Sequence, residues 1–184
     1  MNLKVTTLSI PDILLIEPTV FRDDRGLFFE SFNQDDFKKA TNLVPIFVQE
    51  NHSRSTKGVL RGFHYQLPPK AQDKLLRVVK GEIFDIAVDI RKGSSTFGKW
   101  LGETLSEKNK KQIWIPKGFA HGFLVVSESA EIIYKTTEEY APQCERCIIW
   151  NDPKLNIDWG LKGEPILSNK DKKGELINNA EIFS

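Results

Sequence analysis

Between Phe47 and Trp150, apolar side chains recur with a period of two, and glycine or proline breaks the run about every ten residues. A chain so patterned has to bury the backs of many short strands against one another. The pattern is clearest in Glu82–Ile90, where Phe84, Ile86, Val88 and Ile90 share one face while Asp85, Ala87 and Asp89 share the other. One face is oily and the other carries acids. Leu75–Val79, Ile113–Ile115, Phe123–Val126, Ile132–Thr136 and Cys147–Trp150 read as further strands, set off by Gly81, Gly93, Gly98, Pro116-Lys117-Gly118 and Pro142. With no long helical patterns between them, an all-β sandwich or barrel is expected. Upstream, Leu14-Leu15-Ile16 reads as a strand, and Phe21 to Phe32 as a hairpin turning at Asp23-Asp24-Arg25-Gly26. Asn33-Gln34-Asp35-Asp36 resembles a helix start, with Phe37, Ala40 and Val44 at helical spacing before Pro45. Residues 151–184 read as loop with one or two short helices packed on the barrel.

At 184 residues and roughly 150 per domain, one domain spanning 1–184 is expected. Twenty-six basic residues against 25 acidic give a net charge of +1, which disfavours a polyanion partner such as nucleic acid. No run approaches the roughly 18 apolar residues needed to cross a bilayer, and no basic-then-apolar segment opens the chain. A soluble cytoplasmic protein is expected. Cys144 and Cys147 have the C-x-x-C spacing of a redox pair or of half a zinc site, but no second Cys or His pair follows nearby, which favours two ordinary reduced thiols.

The stretch Gly58-Val59-Leu60-Arg61-Gly62-Phe63-His64-Tyr65-Gln66 places an arginine and a histidine in a strand-like run. Such groups are costly in a sheet unless a neighbour satisfies them or they face a cavity that uses them, and both readings stand for His64. Strict alternation would send Arg61 and His64 to opposite faces, so either Gly62 permits a bulge or one of them has another role. Ile115-Pro116-Lys117-Gly118-Phe119-Ala120-His121-Gly122 brings in a second histidine. Together the two segments resemble the halves of the cupin motif, which implies a cupin or jelly-roll barrel with a few short peripheral helices. Metal-binding cupins use H-x-H plus glutamate, whereas this sequence has Gln66 and Lys74 there, so a barrel without metal is expected.

These blocks, followed by Gln72-Asp73-Lys74-Leu75, Asp85–Arg91, Tyr134-Lys135-Thr136, Trp150-Asn151-Asp152-Pro153 and Leu167-Ser168-Asn169-Lys170-Asp171, resemble the dTDP-4-dehydrorhamnose 3,5-epimerase family over nearly the whole chain. Phe63, Trp159-Gly160 and the two cysteines beside Glu145 depart from the family pattern without removing a catalytic group. The resemblance implies an isomerase that needs no cofactor and inverts C3 and C5 of dTDP-4-dehydro-6-deoxy-D-glucose. A single-centre epimerase of a related deoxysugar, or a silent sugar-nucleotide-binding cupin, are the alternatives.

Inversion beside a ketone needs a base, a group to hold the enolate charge and an acid on the opposite face. By resemblance the base is His64 steadied by Asp171, Lys74 stands near the keto group and Tyr134 is the acid. Read from the residues alone, Asp171 equally fits a capping pair with Ser168, Lys74 a solvated lysine and Tyr134 a half-buried sheet tyrosine. The resemblance also places Arg25, Glu30, Gln49, Glu50, Asn51, Arg61, His121, Glu145 and Lys170 around the sugar nucleotide, with Tyr140 stacked on thymine. It further implies a homodimer in which an exchanged N-terminal strand helps to close each site.

Overall fold

Residues 3–183 are described by the computed structural model of the chain, and most of the alternating stretches are strands. In chain order these are β1 (Lys4–Thr7), β2 (Leu14–Glu17), β3 (Phe21–Asp23), β4 (Gly26–Phe28), β5 (Gln49–Thr56), β6 (Leu60–Gln66) and β7 (Lys74–Lys80). They continue with β8 (Glu82–Asp89), β9 (Trp100–Ser106), β10 (Gln112–Ile115), β11 (Phe119–Val125), β12 (Ser129–Thr136) and β13 (Glu145–Cys147). The α-helix is α1 (Gln34–Thr41), and single 3-10 turns occur at Pro142–Cys144 and Asp171–Lys173.

Two antiparallel sheets face each other, one in the order β1-β2-β10-β7-β12-β5 and one in the order β13-β6-β11-β8-β9, while among the described residues β3 and β4 pair only with each other. This is the expected all-β cupin or jelly-roll architecture. Between the sheets lies a core of Leu76, Val78, Ile83, Ala87, Leu101, Leu105, Ile113, Ile115, Phe123 and Ile132. Behind the five-stranded sheet, Leu60, Phe63, Ile86, Val88 and Ile90 pack under Leu155, Trp159 and Ile177 of the irregular C-terminal segment. That segment is a cover for the barrel, as its weak strand signals suggested.

Strand β8 therefore has no wet face. Both Asp85 and Asp89 are fully inaccessible, because the acidic side of the alternation points between the sheets. Asp89 is satisfied by Arg91, Ser94 and Thr96. Burial pushes its pKa up, but these donors outweigh it and hold the group at about 2. Asp85 instead faces the second histidine.

Asn33 caps α1 by accepting from the backbone N–H groups of Asp35 and Asp36, and the helix stops at Asn42 in the left-handed region. It ends before Val44, which is exposed instead of continuing the apolar face. Phe37 anchors the helix to Ile16, Leu75 and Trp114 on the outside of the six-stranded sheet. Strands β1 and β9 were not legible. In β9, Gly102 interrupts the apolar pattern because an added Cβ would sit 2.4 Å from the Phe84 ring. The expected strand Cys147–Trp150 is displaced toward the N-terminus, since the pairing with β6 covers Glu145–Cys147.

Candidate active site

A cavity of about 670 Å³ opens between the two sheets. From one side β5, β7 and β12 supply Gln49 and Asn51, Lys74, and Tyr134; from the other β6, β11 and β13 supply Arg61 and His64, His121, and Glu145. Tyr140, Lys170 and Asp171 complete the wall from connecting segments. Such a chamber, with apolar walls and many convergent polar and charged groups, suits a polar organic ligand.

Arg61 and His64 share the cavity because β6 carries one extra residue. Its partner β11 advances two residues from His121 to Phe123 while β6 runs three from His64 back to Arg61. The bulge depends on two glycines in contact. A Cβ on Gly62, whose φ is +120°, would lie 2.5 Å from Gly122 Cα, and one on Gly122 would lie 2.8 Å from the Arg61 carbonyl oxygen. The sequence left open whether Gly62 permits a bulge; the pairing supplies it.

His64 Nε2 lies 2.7 Å from Asp171 Oδ1. Among the described residues no aligned hydrogen-bond partner meets that nitrogen, so the contact is close but off the N–H axis. Asp171 is almost wholly buried and does both things its sequence allowed. Its Oδ2 accepts from the Ser168 hydroxyl at 2.6 Å and from the Ser168 N–H, while Oδ1 accepts from the Gly62 N–H. Burial works to raise its pKa; the contact with His64, the Ser168 hydroxyl and the Gly62 amide overcome it, and the carboxylate sits at about 2.

Lys74 reaches the His64 carbonyl at 3.4 Å. Burial lowers its ammonium to about 8, against the pull of Asp85 and Glu145 and with the push of Lys170. On the same wall as Lys74 and opposite His64, Tyr134 is raised by burial in spite of Arg61 and Lys170, so its phenol keeps its proton at neutral pH. The buried His121 donates or accepts at Nε2 with Asp85 Oδ2, 2.8 Å away, and Asp85 Oδ1 has no partner among the described residues. Asp85 was not singled out from the sequence. It meets His121 only because β8 and β11 pair with Phe123 opposite Asp85.

At the mouth, the exposed Tyr140 donates its hydroxyl to Glu145 at 2.8 Å, Lys170 donates to the other Glu145 oxygen at 2.6 Å, and Gln49 accepts the Tyr140 N–H. Gln49 also donates to Asn51. Gln66 is consumed structurally, bonding the Lys70 and Glu139 carbonyls and the Ala141 N–H. Three of the expected residues lie elsewhere. Glu50 points to the other face of β5 and pairs with Lys135, as alternation with Gln49 and Asn51 requires, so that assignment does not fit the cavity. Arg25 sits on the exposed β3–β4 hairpin with Asp23, and Glu30 follows that hairpin. Neither lines the cavity of this chain. Ser53, Gln72, Phe123 and Ser168 do line it and were missed as site residues, Ser53 although the alternation of β5 runs straight to it.

The ligand atoms of His64, Cys147 and Asp171 lie within 4.8 Å of one another. Cys147 faces His64 directly across the β6–β13 pairing, and burial, reinforced by Asp171, pushes its thiol up to about 12.

A family model described as dTDP-4-dehydrorhamnose 3,5-epimerase matches residues 7–179. The chain is 59% identical to the Pseudomonas aeruginosa protein of that name, over 98% of this chain and 99% of the other. It superposes with a TM-score of 0.95 on dTDP-6-deoxy-D-glucose-3,5-epimerase RmlC from Legionella pneumophila, solved with dTDP-4-keto-L-rhamnose, at 47% identity over 98% and 95% of the two chains. ChmJ, a 3'-monoepimerase from Streptomyces bikiniensis solved with dTDP-quinovose, superposes at 0.88 with 32% identity over 97% and 88%.

Proposed function

The chain belongs to the dTDP-4-dehydrorhamnose 3,5-epimerase family of isomerases, and from that premise we propose how its own residues carry the reaction on dTDP-4-dehydro-6-deoxy-D-glucose. The observation that carries the reading is the His64–Asp171 pair on one wall of the cavity with Tyr134 on the other. His64 presents Nε2 to Asp171, which leaves Nδ1 as the basic nitrogen. It takes the proton from the carbon next to the keto group, and the C–H electron pair moves into a C=C bond and on to the oxygen. Asp171, ionised at neutral pH, stabilises the imidazolium that results. Lys74 donates to the developing enolate oxygen from a site where burial has removed competing water. Tyr134 then returns a proton from the far side, and the carbon is inverted. No cofactor enters the scheme.

Arg61 and Lys170 suit the diphosphate, the Tyr140 ring suits the face of thymine, and Gln49, Asn51, His121 and Glu145 supply polar partners for the remaining groups. Arg25 and Glu30 are proposed to act on a partner's cavity in a homodimer. Among the described residues the β3–β4 hairpin pairs with no other strand, and it exposes Phe21, Leu27 and Phe28, so it has both a free edge and apolar side chains to cover. Residues 1–184 form one working domain in this reading, and the cytoplasm is its proposed location.

The test is incubation with the 4-keto sugar nucleotide in deuterated water, with label read at C3 and C5 by NMR. Label and inversion at both centres are expected. Label at one centre would establish the single-centre reading that the likeness to ChmJ keeps open. Label at neither would leave a silent binder. His64→Asn should abolish exchange at both carbons; substantial wash-in by that variant would reject His64 as the base.

A further inference from the structure

We infer that Cys147, His64 and Asp171 form an inhibitory site for a thiophilic divalent cation, with Zn²⁺ as the ion of best fit, and that the ion silences the enzyme by occupying the base. The inference rests on His64 being that base. Three observations carry it. The three ligand atoms lie within 4.8 Å of one another. Cys147 stands directly opposite His64 in the β6–β13 pairing, so backbone geometry and not a surface rotamer keeps sulfur and imidazole adjacent. His64 Nε2, buried, has no aligned hydrogen-bond partner to surrender to an ion.

Tetrahedral Zn²⁺ holds sulfur at about 2.3 Å and nitrogen or oxygen at about 2.0–2.2 Å, which puts neighbouring ligand atoms roughly 3.4–3.6 Å apart. The 2.7 Å His64–Asp171 contact would widen and the longer separations would shorten, each by about an ångström of side-chain adjustment. Charge favours the ion as well. One thiolate and one carboxylate neutralise Zn²⁺; of the two nearby cations, Lys170 is already paired with Glu145 at 2.6 Å, and Lys74, 3.4 Å from the His64 carbonyl, is the charge that opposes the ion. The fourth position opens to the cavity and takes water.

On binding, the Cys147 S–H proton leaves to solvent as the S–Zn bond forms, and His64 Nε2 binds the ion through its lone pair in the tautomer that carries the ring proton on Nδ1, so the basic nitrogen is already protonated. That imidazole can no longer take a proton from substrate. The site shares His64 with the cupin metal position but not its other places, where Gln66 and Lys74 stand.

Co²⁺ serves as the binding probe, because a thiolate ligand gives it a near-ultraviolet charge-transfer band. The band is expected in the parent chain and in Cys144→Ser, and absent in Cys147→Ser and Cys147→Ala. Zn²⁺ at ten times its Kd should lower deuterium wash-in about elevenfold at low substrate concentration, EDTA should restore it, and the Cys147 variants should resist. Absence of the band in the parent, or its survival in both Cys147 variants, overturns the site. A band without loss of wash-in overturns the claim that the ion occupies the base. Should the metal-free parent show no wash-in at all, the epimerase reading fails, while the cobalt band still judges the site independently.

Discussion

Replacing Asp171 by asparagine should cost stability at neutral pH and cost progressively less as the solution is acidified. The carboxylate falls from an ordinary 3.8 to about 2 in the fold. At roughly 1.4 kcal/mol per tenfold change in acidity, that difference is worth about 2 kcal/mol of folding stability to the ionised group. Because the folded value is the depressed one, the contribution is complete above the unfolded value near 4 and disappears as pH falls through 2. About half of it is already gone at pH 3. Asparagine keeps the shape but has one acceptor oxygen where the Ser168 hydroxyl, the Gly62 amide and the His64 ring now address two. Urea midpoints for parent and variant at intervals from pH 7 to pH 3 give the difference directly, and taking the difference removes Asp89, the other carboxylate held at about 2. A gap of about 2 kcal/mol at pH 7 that narrows to about half at pH 3 is expected. A gap that stays constant across the range would mean that the charge on Asp171 does not matter to the fold, and the account of a carboxylate held ionised by His64, Ser168 and Gly62 would fall with it.

Tyr134→Phe should bind substrate and exchange its α-proton yet scarcely invert it, because the imidazolium returns the proton from the side it came from; epimerisation at the parental rate would hand the acid role to another group. Lys74→Met should lower both exchange and product formation by about 10²–10³-fold. In the parent, activity should fall as pH rises through about 8 with loss of the Lys74 charge, and a profile flat to pH 9.5 would contradict the role. Gly62→Ala should destabilise the chain by about 2–5 kcal/mol from overpacking on Gly122 and backbone strain, read as a urea midpoint. Deleting the apolar side chains of the hairpin, as in Phe21→Ser with Phe28→Ser, should give a monomer by light scattering with weaker nucleotide binding; a monomer of undiminished affinity would remove Arg25 and Glu30 from the site.

The fold was legible wherever one side of a strand is uniformly apolar. β7, β10, β11 and β12 announce themselves because each fills the inter-sheet core or the layer behind it. β9 did not, since Gly102 is placed for the Phe84 ring and breaks the run. The acids of β8 could be assigned to a face, but nothing local says that the face is interior. That follows from the opposing sheet, which covers the face, while the partners come from elsewhere: Asp89 is met by a loop seven residues on, and Asp85 by a histidine of the neighbouring strand β11, 36 residues away.

The site divides along the same physical line. His64 stood out because an imidazole in a strand must be answered by something, and Ser53 and Glu50 were decidable by alternation along β5, which turns one inward and the other out to Lys135. What answers His64 was not decidable in this way. Asp171 lies 107 positions downstream, in a segment without strand signals, and its local spacing advertised only the pair with Ser168. The carboxylate has two oxygens, and the cap uses one of them. The local reading and the long-range reading were never in competition: Ser168 fixes the carboxylate by Oδ2 and so aims Oδ1 at the imidazole. Register hid Cys147 for the same reason. C-x-x-C spacing directs attention from Cys147 to Cys144, three residues away in sequence, whereas the pairing of β13 with β6 directs its thiol to His64, 83 residues away in sequence and across one rung of the sheet.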